Sequence, residues 1–199
     1  LKDYVTIGNL LAGFGAVIAV MHDRFDWACY LIYVAYGFDV LDGPVARLTK
    51  QFDTFGGHLD TASDYVVNSI CSSYIVYYAL ERFAHYPWWA AAFVAAWPVA
   101  FGTIRQARGA DDLRPAYPCY WIGVPRPVAT LAIIALLQSG LFPHASLGSW
   151  GTWGHAVSAI VVMALSVLHL SRIPFINNKN RRWMGIVRVG MYVFLVGAP

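Results

Sequence analysis

Residues 39–64 read DVLDGPVARLTKQFDTFGGHLDTASD, setting Asp39, Asp42, Asp60 and Asp64, together with Arg47, into a chain otherwise dominated by Trp, Leu, Val and Ala. The surroundings make those charges costly. Of 199 residues, 58% are hydrophobic and 13% charged, and the mean hydropathy is +0.51, too apolar for an ordinary soluble domain. A membrane span needs roughly 20 mainly apolar residues to cross about 30 Å of hydrocarbon. Stretches near 4–21, 27–48, 57–82, 86–108, 125–142 and 152–171 meet that requirement. The expected fold is all-α, a polytopic integral membrane helical bundle with a six-span core. A further apolar stretch, about 183–198, reads either as a truncated span or as a helix lying at the interface. With no repeat, long linker or low-complexity segment, residues 1–199 read as a single membrane domain.

No basic n-region or small-residue cleavage site accompanies the first apolar segment, so it is expected to be retained as a span. Cys29, Cys71 and Cys119 are an odd, scattered set without CxxC spacing and read as packing residues rather than a disulfide framework or zinc site. With the six spans in place, Lys2, Arg47, Lys50, Arg105, Arg108, Arg114, Arg126, Arg172, Lys179, Arg181 and Arg182 fall on one side of the membrane, and Arg24 and Arg82 on the other. The positive-inside rule makes the first side cytoplasmic. That asymmetry accounts for the net charge of +3, which is too small to point to nucleic acid.

Asp39 and Asp42 then lie near the cytoplasmic end of the second span, on one helix face, and Asp60 and Asp64 near the cytoplasmic start of the third, again on one face. Antiparallel neighbours bring both pairs to one depth. Carboxylates converging in a low dielectric repel unless protons or cations intervene. Hard divalent cations suit such a site: Mg²⁺ or Mn²⁺ prefers oxygen ligands, and a pair of ions held by these aspartates could also grip phosphate oxygens. Gly43 and Ala46 leave part of the second helix face without bulk, Gly56 clears space on the third, and Arg47 can offer a planar fork to a diphosphate. Together they read as a nucleotide-diphosphate cradle beside a metal pair. Any one of these residues alone is as well explained by packing or a solvated helix end, but packing does not ask for the whole set at these spacings.

The run Asp39-x2-Asp42-Gly43-x2-Ala46-Arg47-x8-Gly56-x3-Asp60-x3-Asp64 resembles, without a gap, the signature of the CDP-alcohol phosphotransferase family of integral membrane enzymes, and the likeness extends over about residues 4–172. The resemblance implies a reaction in which an alcohol hydroxyl attacks the β-phosphorus of a CDP-linked lipid and CMP is released. It further implies that Asp39, Asp42, Asp60 and Asp64 bind two divalent cations, that Gly43, Ala46 and Arg47 contact the CDP moiety in the cradle that Gly56 helps to clear, and that Asp64 is the catalytic base. A homodimer formed through the helices is a further implication of the same resemblance.

Three more stretches are similar to the serine branch of that family, the CDP-diacylglycerol–serine O-phosphatidyltransferases: TIGNLLAG in the first span, IRQAR followed by WIGVPRP around the fourth and fifth, and LSRIPF after the sixth. L-serine carries a carboxylate that Arg105, Arg108 and Arg126 could recognise. The competing reading has these arginines, and Arg172, meeting lipid headgroups or anchoring helix ends. Two places depart from the serine branch: Gly109-Ala110 stands where Asn is expected, and Val66-Val67-Asn68-Ser69-Ile70 where a Phe-Gly-Pro run is expected. Inositol phosphate, glycerol 3-phosphate and choline stay open as acceptors, and a cation transporter using the aspartates as its ion site is the alternative from another class. His58 reads as a surface contact, and His144, His155 and His169 lack metal-ligand spacing. Trp88, Trp89, Trp150 and Trp153 fall near span ends as an aromatic belt, and Pro125 and Pro127 open the fifth span.

Overall fold

A computed structural model describes residues 2–49, 54–109, 120–139, 142, 149–171 and 174–176. The side chains of Ala46 and Arg47, and the positions of Lys50, Arg114, Cys119, His144, Arg172 and the 183–198 stretch, lie outside the described residues. Helices cover each of the six apolar stretches: α1 (Lys2–Met21), α2 (Phe25–Thr49), α3 (Thr54–Tyr65) continuing through a π-helical turn at Val66–Cys71 into α4 (Ser72–Arg82), α5 (Trp88–Gly109), α6 (Arg126–Gln138) and α7 (Ser149–Leu168). One antiparallel pair of three-residue strands, β1 (Tyr120–Ile122) and β2 (Pro174–Ile176), qualifies the all-α expectation.

By length and composition, α1 over Asp3–Met21 is the one described helix long and apolar enough to cross a membrane unaided. Charges are the reason in α2, whose length of about 37 Å at 1.5 Å per residue would suffice but which carries Asp26, Asp39, Asp42 and Arg47. α6 is shorter than the expected 125–142 because the chain turns extended at Ser139. At 13 residues it rises about 20 Å.

The interior is small and polar-tolerant, and the exterior is large and apolar. Ala16, Ala28, Cys29, Ala35, Ala79 and Ala91 are wholly buried, with Ile32, Ile75, Ile134 and Leu137 filling between them. Buried hydroxyls bond back to helix carbonyls, as Ser72 Oγ does to Asn68 O at 2.8 Å and Ser166 Oγ to Val162 O at 2.8 Å. Tyr4, Leu11, Phe14, Trp27, Trp88, Trp89, Phe93, Trp153 and Ile160 point outward. That distribution is what a lipid-facing surface requires, since helices in lipid associate through close packing of small residues. Cys29 and Cys71 are buried and free, as packing residues should be.

α1 packs into this interior through glycine. A Cβ on Gly13 would stand 2.6 Å from Val67 Cγ2, and Val67 is a stiff, buried β-branched residue with nowhere to retreat. Gly13→Ala is therefore expected to lower the thermal midpoint of the purified protein, the cost being about 1–3 kcal/mol of overpacking. Gly15→Ala is the control, because its Cβ meets only Leu31 at an ordinary 3.5 Å. Equal midpoints for the two variants would contradict the close α1 contact.

Candidate active site

Three carboxylates from two helices converge. One oxygen from each of Asp39 and Asp42 on α2 and Asp60 on α3 lies within 4.8 Å of the others. Asp64, one turn further along α3, lies against Asp39. The expected grouping of all four is thus seen as a triad with Asp64 at its side. Gly43 follows Asp42 on α2, half-buried, and Gly56 is buried on α3 one turn before Asp60. Pro44 in α2 has no N–H to offer the carbonyl four residues back, so the helix is locally loosened beside Asp39 and Asp42.

α1 holds the two acidic helices in register. Gly8 lets it approach α2, where a Cβ would meet the Phe38 ring at 3.2 Å, next to Asp39. On the other side Ser63 Oγ donates to Thr6 O at 3.3 Å, and Asn9 Nδ2 donates to Asp64 Oδ1 at 3.3 Å. Asn9 is 2% exposed, and its Oδ1 is buried with no hydrogen-bond partner among the described residues. Sequence reasoning missed Asn9 as a site residue; a lone amide inside an apolar span was the available signal.

A cationic wall faces the aspartates. Arg126, the first residue of α6, lies near enough to Asp64, Asp39 and Asp60 for their charges to act on its guanidinium. Its Nη1 is buried with no hydrogen-bond partner among the described residues. Arg105 of α5 is close enough to Arg126 for the two like charges to repel. α6 is pinned by Thr130 Oγ1, which donates to the Asn68 carbonyl at 2.8 Å within the π-helical turn, and α5 by Tyr65 OH, 2.6 Å from Thr103 Oγ1. The π-helical turn falls where the sequence departs from the serine branch. Such a turn widens a helix by one residue and is frequent at functional sites. Arg108, expected beside Arg105 and Arg126, is exposed instead.

This geometry fits hard cations and an anionic ligand. Mg²⁺ binds oxygen at about 2.0–2.1 Å in octahedral geometry, so adjacent oxygens stand about 2.9 Å apart and opposite ones about 4.2 Å; the Asp39, Asp42 and Asp60 oxygens, within 4.8 Å of one another, would draw closer together around one ion. Two half-buried guanidinium groups near one another repel, and a carboxylate or phosphate between them offsets that repulsion. His58 is exposed, as expected of a surface contact, and His155 packs edge-on to Phe142 with ring centroids 4.8 Å apart.

Comparison with known proteins points the same way. The family profile described as CDP-alcohol phosphatidyltransferase matches residues 1–170. A CDP-diacylglycerol–serine O-phosphatidyltransferase of Methanocaldococcus jannaschii is 27% identical over 203 residues, covering 100% of this chain and 85% of its own. The protein of the same description from Helicobacter pylori is 29% identical over 191 residues, covering 96% of this chain and 77% of its own. An archaetidylserine synthase of Methanothermobacter thermautotrophicus is 26% identical over 177 residues, covering 88% of this chain and 69% of its own.

Proposed function

The chain belongs to the CDP-alcohol phosphatidyltransferase family, and from that premise we propose that it transfers a phosphatidyl-type group from a CDP-linked lipid to L-serine, releasing CMP. The observation that carries the reading is the carboxylate triad of Asp39, Asp42 and Asp60 with the half-buried Arg126 near it and Asp64 beside it. Serine as acceptor is supported by the relatives from Methanocaldococcus jannaschii and Helicobacter pylori, whose names specify it.

In this reading the aspartates hold two divalent cations, Mg²⁺ or Mn²⁺, which when bound supply neutralisation of the diphosphate and of the charge that CMP carries away. Gly43 and Gly56, with Ala46 and Arg47, receive the CDP moiety where the helix faces lack bulk. Arg126 and Arg105 hold the serine carboxylate and so aim the hydroxyl at the diphosphate. The hydroxyl oxygen bonds to the β-phosphorus, and the bond from that phosphorus to the bridging oxygen breaks. CMP departs with that oxygen, and the hydroxyl proton passes to Asp64. Asn9 keeps Asp64 in one orientation for that transfer.

The same reading makes the chain one membrane domain crossing the cytoplasmic membrane six times, working as a homodimer, with the site facing the cytoplasm where Lys and Arg accumulate. The outward-pointing Trp, Phe and Leu side chains support it.

Purified protein with CDP-diacylglycerol and Mn²⁺ is expected to release CMP with L-serine and to release little with glycerol 3-phosphate, inositol, inositol 1-phosphate or choline. Release with another of these alcohols would keep the transferase and discard serine. Release with none of them, alongside cation uptake into vesicles, would favour a transporter.

A further inference from the structure

His169 has no partner in the chemistry above, yet it is 6% exposed and sits against the site's cationic wall. It closes a clamp. Its Nδ1 lies 3.0 Å from Val124 O, and because a carbonyl only accepts, Nδ1 carries the proton and donates. Val124 N donates in return to Leu168 O at 3.2 Å, so the segment before α6 is held at both of its polar groups by the end of α7. The His169 carbonyl accepts from Arg105 Nη1 at 3.4 Å. Gly123 makes the approach possible: its φ is +75°, and a Cβ there would overlap the His169 carbonyl oxygen and stand 2.9 Å from Arg105 Nη1. Beyond it, β1 pairs with β2 through Ile122 and Pro174.

The clamp ends two residues from Arg126. Pro125 intervenes with φ −58°, locked by its ring, and serves as the cap from which α6 starts. Fixing the Val124 carbonyl therefore fixes the direction in which α6 begins and its first side chain emerges.

We infer that His169 is a positioning residue: through Val124 and Gly123 it sets Arg126, and through its own carbonyl Arg105, at the spacing that receives the acceptor's carboxylate. The inference rests on the acceptor pocket proposed above and adds the device that shapes it. His169 contacts Val124 and Arg105 and acts through the proposed acceptor-holding pair, so its loss is expected to act on acceptor affinity rather than on the nucleotide side.

The test compares the wild-type chain with His169→Leu, His169→Asn and Gly123→Ala in detergent micelles. KM is measured for L-serine at saturating CDP-diacylglycerol and for CDP-diacylglycerol at saturating L-serine, with hydrogen–deuterium exchange of the amides of residues 122–124. His169→Leu is expected to raise the KM for L-serine about tenfold, the loss of one buried hydrogen bond, to leave the KM for CDP-diacylglycerol within about twofold, and to speed amide exchange. His169→Asn, whose amide nitrogen takes the place of Nδ1, is expected to restore both. Gly123→Ala, with the ring intact, is expected to show the same split.

Wild-type values in His169→Leu, equal rises in both KM values, or no rescue by His169→Asn would overturn the inference. A wild type that releases no CMP with L-serine refutes the proposed acceptor instead. Amide exchange then decides the clamp by itself: it stands if exchange speeds in His169→Leu and not in His169→Asn, and falls if the two behave alike.

Discussion

Asp64→Asn is expected to lower kcat for serine-dependent CMP release by about 10²–10⁴-fold, the contribution of a positioned general base. CDP-lipid affinity is expected to change far less, because Gly43, Gly56 and the rest of the cradle are untouched. The substitution is mild for the fold. An asparagine keeps the oxygen that accepts from Asn9 Nδ2 at 3.3 Å, and it replaces one of two carboxylates pressed together with a neutral group that can donate to Asp39. A fall in activity therefore cannot be assigned to unfolding, and thermal midpoints should match or exceed the wild type. Single-turnover CMP release, with a titration of CDP-diacylglycerol binding, separates the two effects. Turnover near the wild-type level would remove Asp64 from the role of base.

The second large effect is expected at Asp60. It supplies one of the three carboxylate oxygens that lie within 4.8 Å of one another, and a hard divalent ion loses affinity when a charged oxygen ligand is replaced by an amide. Asp60→Asn is expected to shift half-maximal activation by Mn²⁺ to concentrations higher by at least about 100-fold, since even outer-shell changes cost 10–100-fold. In the presence of chelator the same variant is expected to melt no lower than the wild type, because without a cation the three carboxylates repel one another. These opposite movements distinguish a metal ligand from a structural aspartate. An unchanged Mn²⁺ activation curve would mean that Asp60 holds no catalytic ion.

The acidic pairs were legible because helix geometry is local. Spacings of three and four put Asp39 with Asp42 and Asp60 with Asp64 on common faces, and antiparallel neighbours then had to bring the pairs to one depth. Hydropathy likewise located the helices, although α6 ends at Gln138, short of the apolar pattern, because Ser139 turns the chain. What sequence could not show depends on distant partners. The π-helical turn at Val66–Cys71 has no periodicity of its own to betray it.

Arg105 and Arg108 both stand as candidates in sequence, and only the fold shows that Arg105 lies against His169 and near Arg126 while Arg108 is exposed. Asn9, inside the TIGNLLAG stretch, and His169, without metal-ligand spacing, show no partner in their sequence neighbourhood. Their partners, Asp64 and Val124, stand 55 and 45 positions away. Gly123 shows the same limit, since its need for a positive φ and for the absence of a Cβ comes from the His169 carbonyl and not from its sequence neighbours.

The most direct measurement supplies purified protein with CDP-diacylglycerol, Mn²⁺ and ¹³C-labelled L-serine, and follows CMP together with the mass of the lipid product. Labelled serine appearing in lipid at one equivalent per CMP, and abolished by chelation, is the predicted result. CMP formed without label in the lipid, or labelled lipid formed with Asp39, Asp42 and Asp60 all replaced by alanine, would contradict it.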